Sequence, residues 1–479
     1  MNSTSQSVKR WPIIVILGLF SLVTSLSGSS TNLALPKMAV SLGVSSSTAT
    51  WIVQVGLVTT TILLVMFGHI GDITSKTLIF LYGGGLFILG SLMTGIALAF
   101  WFVLLGRFIQ AIGSAMIMAN SMGIVTETFS DNSRAEALSV ISMFIAIGSI
   151  SGPALGGLIM SISSWRWIFL FNVPIGIIIL IFGWRVLPFT KIDRTLVKTV
   201  YQQADWRGQN VFTIGILLFF SSSLFFNTHT PVAMLTGVVA LVLGSVITLY
   251  SFKVDGESKN PWIDPTILHN KAFMVSIFAM ALSMLTNAIS NILLPFYLQS
   301  YSGLSPLVSG LIMGLQAGVM LIVTPIAGAL ADHWDRMKLT IIGLVVLLIS
   351  QIGYAVYPLT LNLVMIIWPI VLNGIGMALF LSPNNAITMS SVSSRLSGVS
   401  GSFNSFARTI GMTVGISFGS TLLFAQLPNV KHVSQALGMT FVAAFQRVFW
   451  FAIFISVLAL LIVLYRARSA KTVGQDSPK

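Results

Sequence analysis

Cysteine is absent from the 479 residues, so no disulfide framework holds the chain and no thiol chemistry is open to it. Charge is scarce as well. Only 8% of residues are Asp, Glu, Lys or Arg, against 55% hydrophobic, a balance that soluble globular chains do not show. Long polar stretches are missing, and loops of about 20 residues at most leave no room for a soluble domain. No nucleotide-binding glycine loop, metal-ligand cluster or nucleophile–base pair is discernible, which argues against an enzyme and against any cofactor or metal.

What remains is a succession of apolar runs near 20 residues long. Fourteen candidate spans are predicted, at 12–36, 48–69, 78–99, 101–125, 137–160, 166–187, 208–228, 232–253, 271–299, 306–330, 338–357, 362–387, 397–425 and 443–466. Without water in the bilayer core each span must satisfy its own backbone, so the expected fold is an all-α integral membrane protein of 14 helices. The first ten residues are polar, end in Lys9-Arg10 and precede a run too long for a signal h-region, so they read as the start of a retained helix.

The net charge of +13 is unevenly placed. With the N-terminus inside, most Lys and Arg fall on cytoplasmic segments, among them Lys9, Arg10, Lys76, Lys191, Arg194, Lys198, Arg336 and Arg466. Lys37, Arg166, Lys431 and Arg447 fall outside, and Arg107 and Arg408 lie within spans. This bias predicts a cell-membrane protein with both termini in the cytoplasm. The basic surface suits anionic lipid headgroups rather than nucleic acid.

A spaced triplet divides the chain. Gly68, Asp72 and Lys76 stand four apart, as do Gly328, Asp332 and Arg336, each set closing the second span of a six-span block. A repeat of this kind points to a duplicated transporter. The expected organisation is a six-helix bundle over 1–187, a linker with inserted spans 7 and 8 over 188–270, and a second six-helix bundle with a cytoplasmic tail over 271–479. Span 5 carries Gly148, Gly152, Pro153, Gly156 and Gly157; glycines four apart make a smooth face for close helix approach, and Pro153 removes a backbone donor.

These motifs carry a resemblance. Gly68 to Lys76 is similar to the cytoplasmic loop motif of the major facilitator superfamily, though Ile73 and Ser75 replace its usual Arg and Gly. Arg107, Gln110 and Gly113 resemble its R-x-x-Q-G-x-G element, with Ala111 at the first Gly. The span 5 run resembles the antiporter motif of its drug exporters. Trp165-Arg-Trp167 through Asn172, Pro174 and Gly176 resembles the fourteen-helix drug:proton antiporter branch, the EmrB/QacA-like multidrug exporters. Asn32 to Pro36, Asp205-Trp206-x-Gly208, Ser382 to Asn385 and Gly398 to Gly411 agree with it.

The resemblance implies proton-coupled efflux of small amphipathic compounds by alternating access, of the multidrug or antimicrobial-resistance type, by a monomer. Its partners would be a small-molecule substrate, protons and membrane lipids. Gly68, Asp72, Lys76, Gly328, Asp332, Arg336, Gly148, Gly152, Pro153, Gly156 and Gly157 would then gate or shape the moving helices. Two alternatives stand beside this: export of one dedicated anionic or lipid-like metabolite, and a sensor or scaffold that no longer transports.

One departure matters chemically. Relatives of this branch usually carry an acid in span 1, and here the position is Ser27. All 12 acids lie in or beside predicted cytoplasmic segments. A cation desolvated at mid-bilayer wants a carboxylate, and this pathway offers none. The candidates to face the cavity are therefore Ser27, Asn32, Gln54, Gln110, Asn120, Asn287, Asn291, Gln316, Asn373, Asn384, Asn385 and Asn404, with Arg107 and Arg408 as counter-ions. Each polar residue has a plainer alternative as an interhelical hydrogen bond. For proton coupling the candidates are Glu127, at the end of span 4, and His69, beside the loop motif.

Overall fold

The computed structural model describes residues 10–129, 131–189, 205–226, 230–258, 270–392, 397–428 and 430–475. Fourteen helices of span length carry the fold: α1 Arg10–Ser41, α2 Trp51–Ile73, α3 Lys76–Gly95, α4 Phe100–Thr128, α5 Asp131–Ile162, α6 Asn172–Val186 and α7 Trp206–Phe226. They continue with α8 Pro231–Gly256, α9 Lys271–Pro295, α10 Pro306–His333, α11 Arg336–Ala355, α12 Leu363–Ser390, α13 Ser397–Ala425 and α14 Gly438–Gln475. Among the described residues thirteen helices are long and apolar enough to cross a membrane. The remaining one, α13, spans 29 residues but is rich in Gly, Ser and Thr and carries Arg408.

Polar caps start the helices where the sequence turns polar. Asn270, Asp335 and Asn362 accept from the backbone N–H of Phe273, Met337 and Met365 at 3.0, 2.8 and 3.2 Å. Each satisfies one of the orphan donors of a first turn. Asp205 does the same for Gly208 at 3.0 Å, so the Asp205-Trp206-x-Gly208 match is a helix cap in this structure. The sequence ends span 1 near Pro36, yet α1 runs on to Ser41 with Pro36 inside it. Proline deletes only the bond back to Asn32, and the helix continues past it.

The chain forms two compact units, Met1–Ile263 with Ser305–Gly310, and Asp264–Leu304 with Leu311–Lys479. In unit 1, α1 packs on α5 and α6, α3 on α4 and α6, and α2 on α4, while α7 pairs with α8 and reaches α2. Gln209 on α7 ties that pair down by donating to the Ile62 carbonyl at 3.0 Å. In unit 2 the same scheme recurs eight helices on: α9 packs on α13 and α14, and α11 on α12 and α14. Close packing rather than water exclusion holds such helices together within a membrane. Phe20, Phe80 and Phe87 are buried at the centre of unit 1, and Met280, Met377 and Phe380 at that of unit 2.

Glycine contacts show that the duplication is residue-by-residue. A Cβ on Gly83 would press on Gly113 and Met116 of α4, and one on Gly343 on Phe380 of α12. Gly113 returns the contact to Gly83 and Phe87, and Gly376 to Gly343 and Leu347. By this register Gln110 and Asn373 hold matching places, three residues before Gly113 and Gly376. Likewise Ser91 matches Gln351, Arg107 matches Ile370, and Gly56 matches Gln316.

Candidate functional site

In unit 1 the candidates converge on Arg107. Its Nε donates to the Ile52 carbonyl of α2 at 3.0 Å, and its Nη1 donates to Gln110 Oε1. Gln110 Nε2 in turn donates to Ser91 Oγ at 2.7 Å and Ser27 Oγ at 3.2 Å. One chain of bonds therefore links α4, α2, α3 and α1. Arg107 is 8% exposed, and its guanidinium lies 5.8 Å from the Phe169 ring centre. It does not snorkel toward the outer surface. No carboxylate pairs with it among the described residues, and Nη2 has no hydrogen bond there. Gly56 leaves that end room, since a Cβ at 56 would stand 3.0 Å from Nη2.

Ser27 thus occupies the place of the branch's acid and serves as the neutral end of an arginine network. The antiporter-like face lies beside it. Gly148, Gly152 and Gly156 face Leu22, Ser29 and Ser30 of α1, and a Cβ at Gly148 would overlap the Leu22 carbonyl. Ser30 Oγ donates to the Gly152 carbonyl at 2.7 Å, locking α1 to α5. Pro153 and Gly157 face the other way: their neighbours are Gly310 and Pro306 at the start of α10.

Unit 2 holds a counterpart that sequence reading missed. Gly411, Gly415 and Gly419 on α13 face Ala281, Leu285 and Ile289 on α9. These are the matching positions of Gly148, Gly152 and Gly156, without the proline. The signal, glycine at four-residue spacing, is present in the sequence.

Candidates elsewhere act as ties. Asn120 Nδ2 donates to the carbonyls of Met116 at 2.9 Å and Phe67 at 3.2 Å, and its Oδ1 fills the space a Gly71 side chain would need. Close approach in the first loop motif therefore falls to Gly71. At Gly68 an added Cβ would meet Ala119 at an ordinary 3.9 Å, and at Gly328 it would meet Ser382 at 3.7 Å. Asn384 donates to the Ser276 carbonyl at 3.2 Å, and Asn404 donates to Asn385 at 2.9 Å. Gln54 donates to Thr50 at 3.2 Å, while the buried Asn32 Oδ1 has no donor among the described residues. Asn287, Asn291, Gln316 and Asn373 gather in a second cluster. Arg408 is half-buried on α13 with no bond to a described residue.

At the loop motif, Lys76 forms an ion pair with Glu127, whose side chain is 51% exposed. His69 lies half-buried in the last turns of α2. The side chains of Asp72 and Asp332 lie outside the described residues, as do the linker residues Lys191, Arg194 and Lys198. Arg336 Nε donates to the Ala331 carbonyl at 3.3 Å. Trp165 and Trp167 differ in exposure. Trp167 is 45% exposed, whereas Trp165 is buried under Arg166, which donates to the Ala97 carbonyl at 2.9 and 3.2 Å. No metal-competent group of acids and histidines occurs among the described residues.

The sequence profile described as Major Facilitator Superfamily matches residues 17–416. The chain belongs to the Major Facilitator Superfamily. Its relatives include the riboflavin transporter RibZ of Clostridioides difficile (strain 630), 27% identical over 96% of this chain and 98% of that one. The probable multidrug resistance protein EmrY of Escherichia coli (strain K12) is 26% identical over 86% of this chain and 80% of its own. The multidrug export protein EmrB of Haemophilus influenzae is 25% identical over 89% and 84%. Among solved structures, a bacterial homologue of the human lysosomal transporter Spinster superposes with a TM-score of 0.63 at 16% identity, covering 96% of this chain and 97% of that one. The peptide transporter POT in complex with sulfate gives 0.69 at 14%, with 95% of each chain covered. These two share the fold. The protein is thus a fourteen-helix membrane transporter of this superfamily with multidrug exporters among its relatives.

Proposed function

We propose that the protein exports small amphipathic compounds that are neutral, zwitterionic or anionic, by proton antiport and alternating access. The observation that carries this reading is Arg107: a buried guanidinium held by Ile52 and Gln110, with Nη2 unspent and no carboxylate beside it among the described residues. A fixed, desolvated cation favours an anionic or strongly polar group and disfavours a cationic one. The Gln110–Ser27 link keeps neutral the position where the branch carries its acid. Of the coupling candidates Glu127 is the better placed. It is open to water and bonded to Lys76, so its protonation would release a contact between the end of α4 and the start of α3.

The test is flux in proteoliposomes under an imposed pH gradient, comparing an anionic dye with a permanently dicationic one. The anionic dye should move, and Arg107→Gln should slow it by about tenfold or more, as expected for loss of a charge-assisted contact. Glu127→Gln should leave binding intact and abolish the response to the gradient. Robust export of the dication, indifferent to Arg107→Gln, refutes the proposal.

A second reading is transport of one dedicated metabolite. The similarity to a riboflavin transporter over nearly the whole of both chains favours it. A substrate range confined to one compound would separate it from multidrug export.

A further inference from the structure

Unit 2 contains a patch of side-chain amides with no charge among them. Asn287 and Asn291 stand one turn apart on α9, Gln316 comes from α10 and Asn373 from α12. Asn291 Nδ2 donates to Asn287 Oδ1 at 2.5 Å. Gln316 Nε2 donates to the same oxygen at 3.3 Å and to Asn373 Oδ1 at 2.9 Å. These bonds use one side of each amide.

The other side is left over. Asn287 Nδ2, Asn291 Oδ1 and Gln316 Oε1 have no hydrogen bond among the described residues, although Asn287 is 9% and Gln316 7% exposed. Asn373 Nδ2 and both polar atoms of Gln351 are buried without a partner among them as well. Gln110, which holds the place matching Asn373, spends its oxygen on Arg107 and its nitrogen on two serines. Amide dipoles left unpaired at depth in a membrane are costly unless something polar meets them.

We propose that this cluster binds the polar edge of an uncharged cargo that presents N–H and C=O groups side by side, such as an amide, ureide or lactam. One donor, Asn287 Nδ2, and two acceptors, Asn291 Oδ1 and Gln316 Oε1, match such an edge and offer no counter-charge to an ion. Partly buried Met320 stands about one turn from Gln316 on α10 and would offer adaptable apolar surface to the rest of the molecule. The inference rests on the transport reading above, because it describes where part of a cargo is held.

The experiment is equilibrium binding to the detergent-purified full chain, with no gradient, using the fluorescent neutral lactam 2-quinolinone and its N-methyl derivative. The second probe keeps the ring system and the carbonyl and lacks the N–H. A site that hydrogen-bonds that group should bind the parent about tenfold tighter or more. The preference should fall toward one in Asn291→Leu and in Gln316→Met, and persist in Gly85→Ala. Equal binding of both probes to the unaltered protein overturns the inference, and that comparison stands even if a variant does not fold. A preference unchanged in both variants overturns it too. Loss of gradient-driven flux would count against the export reading and leave this binding ratio untouched.

Discussion

Gly415→Ala tests whether the α9–α13 seam of unit 2 is the working counterpart of the antiporter-like face in unit 1. A methyl at 415 would overlap the Leu285 carbonyl oxygen and stand 2.9 Å from both Leu285 C and Cα. These are backbone atoms, so no side chain can turn aside, and the helices must part by about one ångström to reach ordinary contact. Overpacking of this kind costs about 1–3 kcal/mol. Replacing a helical glycine by alanine returns about 1 kcal/mol of backbone entropy. The net is a loss of up to about 2 kcal/mol, or a fall in melting temperature of up to about 8 °C at the scale of a domain this size. Gly85→Ala is the control, because nothing lies within 4 Å of its added methyl and it should be neutral or stabilising. Gly419→Ala should fall between, since its nearest neighbour is the Ile289 Cγ1 atom at 3.1 Å, which can shift. Thermal unfolding of the three purified variants in detergent reads the series. A Gly415→Ala protein as stable as Gly85→Ala would refute the seam.

Two further outcomes follow from the geometry. Ser27→Asp restores an acid within reach of Gln110 and one bond from Arg107; it should slow anionic dye flux and admit monocationic dyes, and dye selectivity unchanged from the parent counts against Ser27 as the controlling position. Tyr297→Phe keeps the ring between Tyr357 and Phe445 and removes the donor to the Pro358 carbonyl at 2.6 Å. It should cost about 1–2 kcal/mol and raise protease sensitivity of the 356–362 loop, read by unfolding and limited proteolysis.

Much of the fold was legible because a membrane imposes length and polarity on every span. The fourteen runs and the repeated triplet both lie on the surface of the sequence. The site was legible in part. Arg107, Gln110 and Ser27 could be named as candidates one by one, but their single chain of bonds could not, since it joins residues from spans 1, 3 and 4. Asn120 and Gln316 are both polar residues in apolar runs. Only their neighbours show that Asn120 ties α4 to α2 while Gln316 joins α10 to α9 and α12. The aromatic cluster of Tyr297, Tyr301, Tyr357, Phe441 and Phe445 was not foreseen either. Aromatic residues near span ends read equally well as interfacial anchors, and it is the π-helical turn Phe296–Tyr301 closing α9 that gathers these into contact with the start of α14.

By itself the sequence determined the class, the number of spans and the duplication, because each follows from hydropathy, spacing or composition. The tertiary structure alone decided which polar groups are spent and which remain. Hydrogen bonds between helices depend on the rotation of each helix about its axis, and that rotation is set by which glycine faces fit together, a property no single span carries. So the same kind of residue closes a network at Gln110 in unit 1 and leaves one open at Gln316 in unit 2.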